Sequence, residues 1–323
     1  MELTSIGSPL MWGGFIVFVL IVLAVDLLLL GRKGAHRISH TEALSWSAVW
    51  LAFAFMFAGF LWWYLQTQGH SSDYAKEVSL TFLTGYLIEK SLSIDNVFVF
   101  LMIFSSFAVP PMYQRRVLLY GVLGAIVLRA VMIFAGAALI TRFHWLMYVF
   151  GAFLILTAIK MLWTTEGESD IQKNPILKWV RKNLRITNEY HGEQFSVRKN
   201  GLLWFTPLFV VLVMIELSDL VFAVDSIPAI FAITTDPFIV FTSNIFAIMG
   251  LRALYFLLAD WNERFHLLKF GLALVLLFVG AKMLLLEVYK IPTGISLAVV
   301  GLIIVGSMVI SWVSSKPEHK DTP

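Results

Sequence analysis

The chain has 323 residues, of which 59% are hydrophobic and only 14% charged, whereas a soluble domain carries about 25% charged residues. The net charge of +3 reflects the Lys and Arg residues that flank apolar segments, so it does not indicate nucleic-acid binding. Because cysteine is absent, disulfides, thiolate metal ligands, iron–sulfur clusters and thiol catalysis are excluded.

Read in windows of about 19 residues, the sequence predicts an all-α polytopic membrane protein with about nine transmembrane helices. The predicted spans cover residues 10–30, 44–65, 80–109, 117–140, 145–163, 203–231, 238–258, 267–286 and 294–313. The first span lacks a small-residue cleavage site and precedes the basic stretch "GRKGAHR". We therefore interpret it as a retained helix and not as a secretory signal.

The basic residues predict the orientation of these spans. Segments that follow odd-numbered spans hold sixteen Lys and Arg residues, and segments on the opposite side hold three. Cytoplasmic loops carry the excess of positive charge. We therefore expect the N-terminus outside the cell and the C-terminus in the cytoplasm.

Parts of the sequence recur as an internal repeat of three helices. "VLRAVMIF" around Arg129 is echoed by "GLRALYFL" around Arg252, and Lys160 matches Lys282 at an offset of 122. "EKSLSIDNV" can be laid on "DLVFAVDSI" at an offset of 130. Because three is an odd number, the two copies must lie in the membrane with opposite orientations, as in many secondary transporters. Spans three and six should then run antiparallel and bring their acids together.

The repeat divides the chain into five regions. They are two leading helices (1–66), the first repeat (67–163), a cytoplasmic loop (164–202), the second repeat (203–290), and the last transmembrane helix with a cytoplasmic tail (291–323). Within the loop, apolar residues recur at helical spacing among Lys and Arg residues over 176–185. This pattern predicts a basic amphipathic helix on the anionic cytoplasmic leaflet. A role in docking a partner protein is the alternative.

Polar residues cluster on one face of span three. Glu89, Ser93 and Asn96 share this face because they are four and three residues apart. Asp95 lies six residues after Glu89, about 120° further round a regular helix.

Span six holds a similar group. Glu216 and Asp219 share a face, and Asp225 again lies six residues beyond Asp219. A straight helix could not direct all of these acids at one small ligand. We therefore expect Pro228 to loosen the turn that carries Asp225, since it removes the helical donor to the carbonyl of Val224. Broken helices at membrane depth usually line a cavity.

The acids in these two spans outnumber the cations at the same depth. The acids are Glu89, Asp95, Glu216, Asp219 and Asp225, and the cations are Lys90, Arg129 and Arg252. Oxygen ligands suit Mn²⁺, Mg²⁺ or Ca²⁺, and packed carboxylates also hold protons. The alternative is that the acids and cations form buried structural ion pairs. We interpret the cations as countercharges with a structural or gating role, and not as ligands.

Secondary candidates lie around this group. Asp26 could form an inner vestibule or pair with the basic residues that follow span one. Asn244 in span seven could supply an amide oxygen or cross-link two helices. Ser93 and Ser226 neighbour the acids on spans three and six.

At these motifs the sequence resembles the TerC family of integral membrane proteins, and within it the bacterial Alx-like members. The similar stretches are "FLTGYLIEKSLSIDNVFVF", "VRKNGLL", "ELSDLVFAVDSIPAIFAITTDPFIVFTSN" and "LRALYFLLA". The resemblance implies export of manganese from the cytoplasm across the bacterial inner membrane, with links to alkaline-pH and tellurium-resistance phenotypes. It also implies the metal ligands, which are Glu89, Asp95, Asn96, Glu216, Asp219 and Asp225.

The sequence thus predicts an efflux transporter for Mn²⁺ that works by alternating access and is coupled to protons, and not an enzyme. One rival hypothesis is a membrane adaptor of a metal- or alkaline-stress response, without transport activity, that docks partners through the 164–202 loop. A second rival, an intramembrane hydrolase, is weakened by the absence of GxGD and HExxH motifs. The expected partners are the metal ion and the lipid bilayer. A homo-oligomer is an alternative that the sequence leaves undecided.

Overall fold

The computed structural model describes residues 5–33, 39–143, 145–163, 184–259, 268–285, 288–289 and 291–314. Of Asp26 and Asp95 it describes the backbone only. The amphipathic helix predicted in the 164–202 loop falls mainly on residues 164–183, which lie outside the described part.

The described chain is predominantly α-helical, and each of the nine predicted spans falls on helix. The helices are α1 (Pro9–Lys33), α2 (His40–Thr67), α3 (Ser72–Ser106), α4 (Pro111–Arg142), α5 (Leu146–Trp163), α6 (Pro207–Phe231), α7 (Pro237–Met249), α8 (Leu251–Ala259), α9 (Leu268–Leu284) and α10 (Thr293–Ser314). Within the described residues, six candidate membrane spans are long and apolar enough to cross a bilayer, namely α2, α4, α5, α6, α7 together with α8, and α10. The protein is therefore a multi-pass membrane protein.

Helices α3, α6 and α7 form the centre of the bundle. Every residue of α7 is buried, and α3 packs against α2, α6, α7 and α10. Helix α4 covers α6 and α7, while α5 and α9 pack along each other. The outer faces carry exposed apolar side chains such as Val127, Leu156 and Leu302, as expected for helices that face lipid.

The start of α7 is fixed by Asp236 and Pro237. The Asp236 carboxylate accepts hydrogen bonds from the backbone N–H of Phe238 at 2.8 Å and of Ile6 at 2.7 Å. Proline suits the first helical position because the N–H that it lacks would have no helical acceptor there. The cap therefore anchors the N-terminal segment to the central helix of the bundle.

A β-hairpin precedes α6, where the sequence predicted the start of a transmembrane span. Strands β1 (Ser196–Lys199) and β2 (Leu202–Phe205) pair antiparallel. Asn200 and Gly201 form the turn with φ of 51° and 74°, the left-handed conformation that Asn-Gly hairpin turns require. The predicted span over 203–231 was therefore wrong at its start, and α6 begins at Pro207.

The helix interruption lies in a different place from the one predicted. Helix α6 continues through Pro228 to Phe231, so the expectation of a broken helix beside Asp225 was wrong. The interruption lies at Gly250 instead, between α7 and α8. There the chain passes directly beside Lys90 and Trp50, which leave little room for a Cβ.

Candidate functional site

Two acids lie at the midpoints of the two central helices. Glu89 is the middle residue of α3, and Asp219 is the middle residue of α6. Their exposed fractions are 0% and 3%. Each is therefore buried inside the bundle, where a charge without a partner is costly.

Contacts between α3 and α6 show that these helices run in opposite directions, as we expected. Asn96 Nδ2 donates a hydrogen bond to Asp219 Oδ1 at 3.4 Å, and the Ser226 hydroxyl lies beside Glu89, since both accept from Arg129 Nη1. Asn96 follows Glu89 by seven residues, and Ser226 follows Asp219 by the same number. Seven residues are two helical turns, so the pairing places an acid opposite a neutral polar side chain at both levels.

Arg129 of α4 joins the two acids. Its Nη2 and Nε donate to the two oxygens of Asp219 at 2.9 and 3.2 Å, which is the forked geometry that arginine offers a carboxylate. Its Nη1 donates to Glu89 Oε1 and, at 3.1 Å, to Asn244 Oδ1. The guanidinium is buried, and its single positive charge is shared between the two carboxylates.

Asn244 of α7 completes the group by donating from Nδ2 to Glu89 Oε2 at 3.2 Å. We call these side chains the buried cluster, which consists of Glu89, Asn96, Arg129, Asp219, Ser226 and Asn244. All six are at most 2% exposed except Asp219. Helices α3, α4, α6 and α7 each contribute to it, so any rearrangement of these helices would change its geometry.

The buried cluster has an excess of negative charge and an unused acceptor. Two ionised carboxylates face one guanidinium, which leaves a formal charge of −1. Among the described residues, no donor contacts Asn96 Oδ1, although this oxygen is buried. A buried acceptor without a partner is costly. A cation or a proton would reduce both costs.

Glu216 lies one turn before Asp219 on α6 and is half-buried. Its carboxylate lies against Gly124 of α4, where a Cβ would overlap it. No cation within the described ranges pairs with it, and the nearby charge of Asp219 is of the same sign. Glu216 therefore extends the negative region of the buried cluster towards the end of α6 that follows the 164–202 loop.

The structure does not bring Asp225 into the buried cluster. Asp225 is half-buried and faces α5, where Thr157 Oγ1 donates to its Oδ1 at 3.4 Å and Lys160 acts on it electrostatically. The straight course of α6 explains this separation, since six residues rotate a side chain by about 120°. Ser93, another candidate, is buried and donates to the carbonyl of Glu89 at 2.8 Å.

The other two predicted cations are Lys90 on α3 and Arg252 on α8. Lys90 Nζ is buried without an acceptor among the described residues and lies next to Gly250. Arg252 lies in the first turn of α8. The side chains of Asp26 and Asp95 belong to the part that the structure does not describe, so their predicted roles stay predictions.

The described residues do not include three or more His, Asp or Glu side chains grouped as a metal site. Arg129 occupies the space between Glu89 and Asp219 instead. The sequence identified both acids and named Arg129 as a countercharge. It did not identify Gly124, whose only signal is a glycine within an apolar span five residues before Arg129.

Comparisons with other proteins extend over nearly the whole chain. The Alx protein of Salmonella typhi, named as a candidate membrane-bound redox modulator, is 57% identical over 98% of this chain and 99% of its own length. The Alx protein of Escherichia coli K12 is 56% identical over the same shares. The uncharacterised membrane protein STKORF319 of Myxococcus xanthus is 48% identical over 97% of this chain and 95% of its own. No solved structure matches.

The family model described as integral membrane protein TerC family matches residues 74–319. This region includes α3, α4, α6 and α7, and with them every member of the buried cluster. The chain therefore belongs to the TerC family of integral membrane proteins.

Proposed function

We propose that this protein exports divalent cations from the cytoplasm, with Mn²⁺ as its substrate and protons as the coupling ion. The observation that carries the proposal is the buried cluster, in which two central carboxylates share a single arginine. Mn²⁺ is the ion that the resemblance to the TerC family implies. Carboxylate and amide oxygens are ligands suited to it.

Arg129 would compensate the negative charge of the site while no cation is bound. An alternating-access protein must reorient without its substrate, and two uncompensated carboxylates at mid-depth would make this costly. The guanidinium supplies the missing positive charge while the site is empty. When a cation enters, Arg129 gives up its contacts with Glu89 and Asp219, and Asn96 Oδ1 becomes an additional oxygen ligand. Protons that bind the same carboxylates would serve the return step.

The arrangement of the central helices supports an inverted repeat. Glu89 and Asp219 are equivalent positions in the two copies, as are Asn96 and Ser226. Asn96 donates to Asp219, while Ser226 and Glu89 lie together as acceptors of Arg129 Nη1. A pseudo-two-fold axis in the membrane plane would produce this pattern, which is the geometry that alternating access uses.

The third helices of the proposed copies also pack together. On α5 and α9, Gly151 and Gly280 cross so closely that a Cβ on Gly280 would lie 2.8 Å from the carbonyl oxygen of Gly151. Small residues allow this approach within a membrane. The pair would hold the two copies together while the central helices rearrange.

The test is Mn²⁺ uptake into inside-out proteoliposomes under a proton gradient, with wild type, Glu89→Gln and Asp219→Asn. We expect both variants to lose flux, because each removes one of the two central carboxylates. Asp73→Asn is the matched control, since Asp73 lies on the same helix but is exposed in its first turn. Wild-type flux that is absent in well-folded protein, or equal in all four proteins, would contradict the proposal.

A second function is favoured by one observation. The buried cluster is an ion-pair network, which would also suit a membrane adaptor whose acids serve assembly only. The Alx relatives are named as redox modulators. This chain has no cysteine that could exchange a disulfide. For an adaptor, deleting the 164–202 loop would abolish function, and Asp219→Asn would act only through stability.

A further inference from the structure

A polar cavity of about 660 Å³ opens at the end of the bundle where α2 ends and α3, α7 and α10 begin. Its walls include Tyr64, Glu77, Thr81, Asp236 and Ile239. We call this cavity the outer vestibule, because the predicted orientation places this end of the bundle outside the cell. Hydroxyl and carboxylate groups in its walls can solvate a hydrated cation.

The outer vestibule points towards the buried cluster. Helices α3 and α7 both begin beside the vestibule, since Tyr74 of α3 and Asp236 at the start of α7 line it. Further along, Glu89 contacts Asn244 in the buried cluster. The vestibule reaches Thr81 on α3. Eight residues separate Thr81 from Glu89, a distance of about 12 Å along the helix axis.

Buried side chains fill this distance, among them Phe82 and Phe246, whose rings contact each other. One layer of this packing lies at Gly85 of α3. A Cβ at Gly85 would lie 2.9 Å from Ser243 Oγ, 3.3 Å from Ser243 Cβ and 3.6 Å from Ile230 Cγ2 of α6. Ser243 is 0% exposed, and its hydroxyl donates to the carbonyl of Val240 at 3.2 Å. Because Gly85 has no side chain, α3 and α7 can approach closely enough at this layer to leave no open path.

The line between vestibule and cluster is also polar. Thr84 and Thr242 flank the Gly85–Ser243 contact and are fully buried, and their hydroxyls donate to carbonyls of their own helices. Hydroxyl oxygens bonded in this way still have lone pairs for a passing cation.

We propose that the outer vestibule is the release route for the transported cation and that the Gly85–Ser243 contact is the outer gate, opened when α3 and α7 separate at that layer. This inference rests on the proposed function. It adds the route and the residues that close it.

The absence of cysteine makes the gate directly testable, because any introduced thiol is the only one present. Thr81 is 9% exposed at the inner end of the vestibule. We therefore expect Thr81→Cys to react with a membrane-impermeant methanethiosulfonate applied from outside, at a lower rate than exposed Ser72→Cys. Ser243→Cys should react more slowly by roughly tenfold or more if the open state is a minor one. Mn²⁺ on the cytoplasmic side should accelerate its reaction. A Thr81→Cys thiol that reacts only from the cytoplasmic side, or equal rates at the two positions, would overturn the gate.

A reversible lock provides the second test. The Cβ separation at Gly85 and Ser243 is 3.3 Å, close to the roughly 3.5–4.5 Å found in disulfides. We expect oxidation of Gly85→Cys/Ser243→Cys to stop Mn²⁺ flux and a reductant to restore it, with both single variants unaffected by oxidant. Undiminished flux in the cross-linked protein, or no cross-link, would overturn the gate while the proposed function stands. Absent flux in wild type would overturn both proposals, whatever the labelling rates.

Discussion

Arg129 compensates the charge of two buried acids that come from different helices. The fork to Asp219 uses Nε and Nη2, so Nη1 remains for Glu89 and Asn244. A lysine ammonium is a point charge and cannot reproduce this geometry. Removing one partner of a buried ion pair leaves an uncompensated charge, which typically costs about 3–5 kcal/mol.

Arg129→Gln should therefore lower the free energy of unfolding by about 3–5 kcal/mol. Thermal unfolding of the protein in detergent would measure this, with Arg142→Gln at the exposed end of α4 as the control. Adding Glu89→Gln to Arg129→Gln should cost less than the sum of the two single changes, because it removes one of the stranded charges. Additive costs would show that Arg129 does not compensate Glu89.

Gly124 should matter for transport through Glu216. Gly124→Ala places a methyl group where the Glu216 carboxylate lies, so the carboxylate must move away from α4. We expect the Mn²⁺ concentration for half-maximal flux to rise roughly tenfold, equivalent to about 1.4 kcal/mol of binding free energy. The shorter acid in Gly124→Ala/Glu216→Asp should recover part of this loss.

The control for that experiment is Gly59→Ala, since nothing lies within 4 Å of a Cβ at Gly59 of α2. A Gly124→Ala variant with wild-type flux parameters would contradict a role for Glu216 near the cation.

The sequence identified the acids of the site more readily than their partners. Glu89 and Asp219 are conspicuous because a charge in an apolar segment demands compensation. The six-residue spacing also indicated that Asp225 would face elsewhere on a straight helix. Which cation reaches which acid depends on how α4 is rotated against α3 and α6. That rotation is set by packing at positions such as Gly124, where hydropathy carries no information.

At the scale of helices, the break between α7 and α8 at Gly250 gives another prediction. A Cβ at Gly250 would lie 2.6 Å from Lys90 Nζ and 3.3 Å from Trp50 Cβ. Gly250→Ala should displace the lysine and lower the free energy of unfolding by about 1–3 kcal/mol. Thermal unfolding is again the measurement.

Gly306→Ala is the matched control, because Gly306 lies within α10 with open space around it. There the better helix propensity of alanine should be neutral or stabilising by up to about 1 kcal/mol. The same stabilisation at Gly250 would show that this glycine is not needed for the contact with Lys90.

These helix-scale features show where the sequence prediction was right and where it was wrong. The apolar run over 238–258 forms one candidate membrane span, although hydropathy gives no sign of the turn at Gly250 within it. The hairpin had a local signal in Asn200-Gly201, the strongest short turn signal. It was missed because the apolar strand β2 was absorbed into the transmembrane span that follows it.

At the scale of the whole molecule, hydropathy located the helices because a bilayer leaves few alternatives. Every backbone N–H and C=O must be satisfied within the membrane, so apolar segments of this length become helices. The packing order is less constrained, since apolar helices gain nothing from hydrophobic burial against one another in lipid. The sequence alone could not show that α7 is surrounded on all sides while α5 and α9 pair at one side of the bundle.

The orientation of the whole molecule gives the last prediction, and two single cysteines test it in intact cells. The predicted spans would place sixteen basic residues on one side of the membrane and three on the other, so we expect Ser72→Cys to react with an impermeant thiol reagent from outside. Lys199→Cys in the exposed hairpin turn should react only after the cells are permeabilised. As the control, both thiols should react equally in permeabilised cells, where the reagent reaches both sides of the membrane. The reverse pattern would place the vestibule on the cytoplasmic side and would overturn its assignment as the release route.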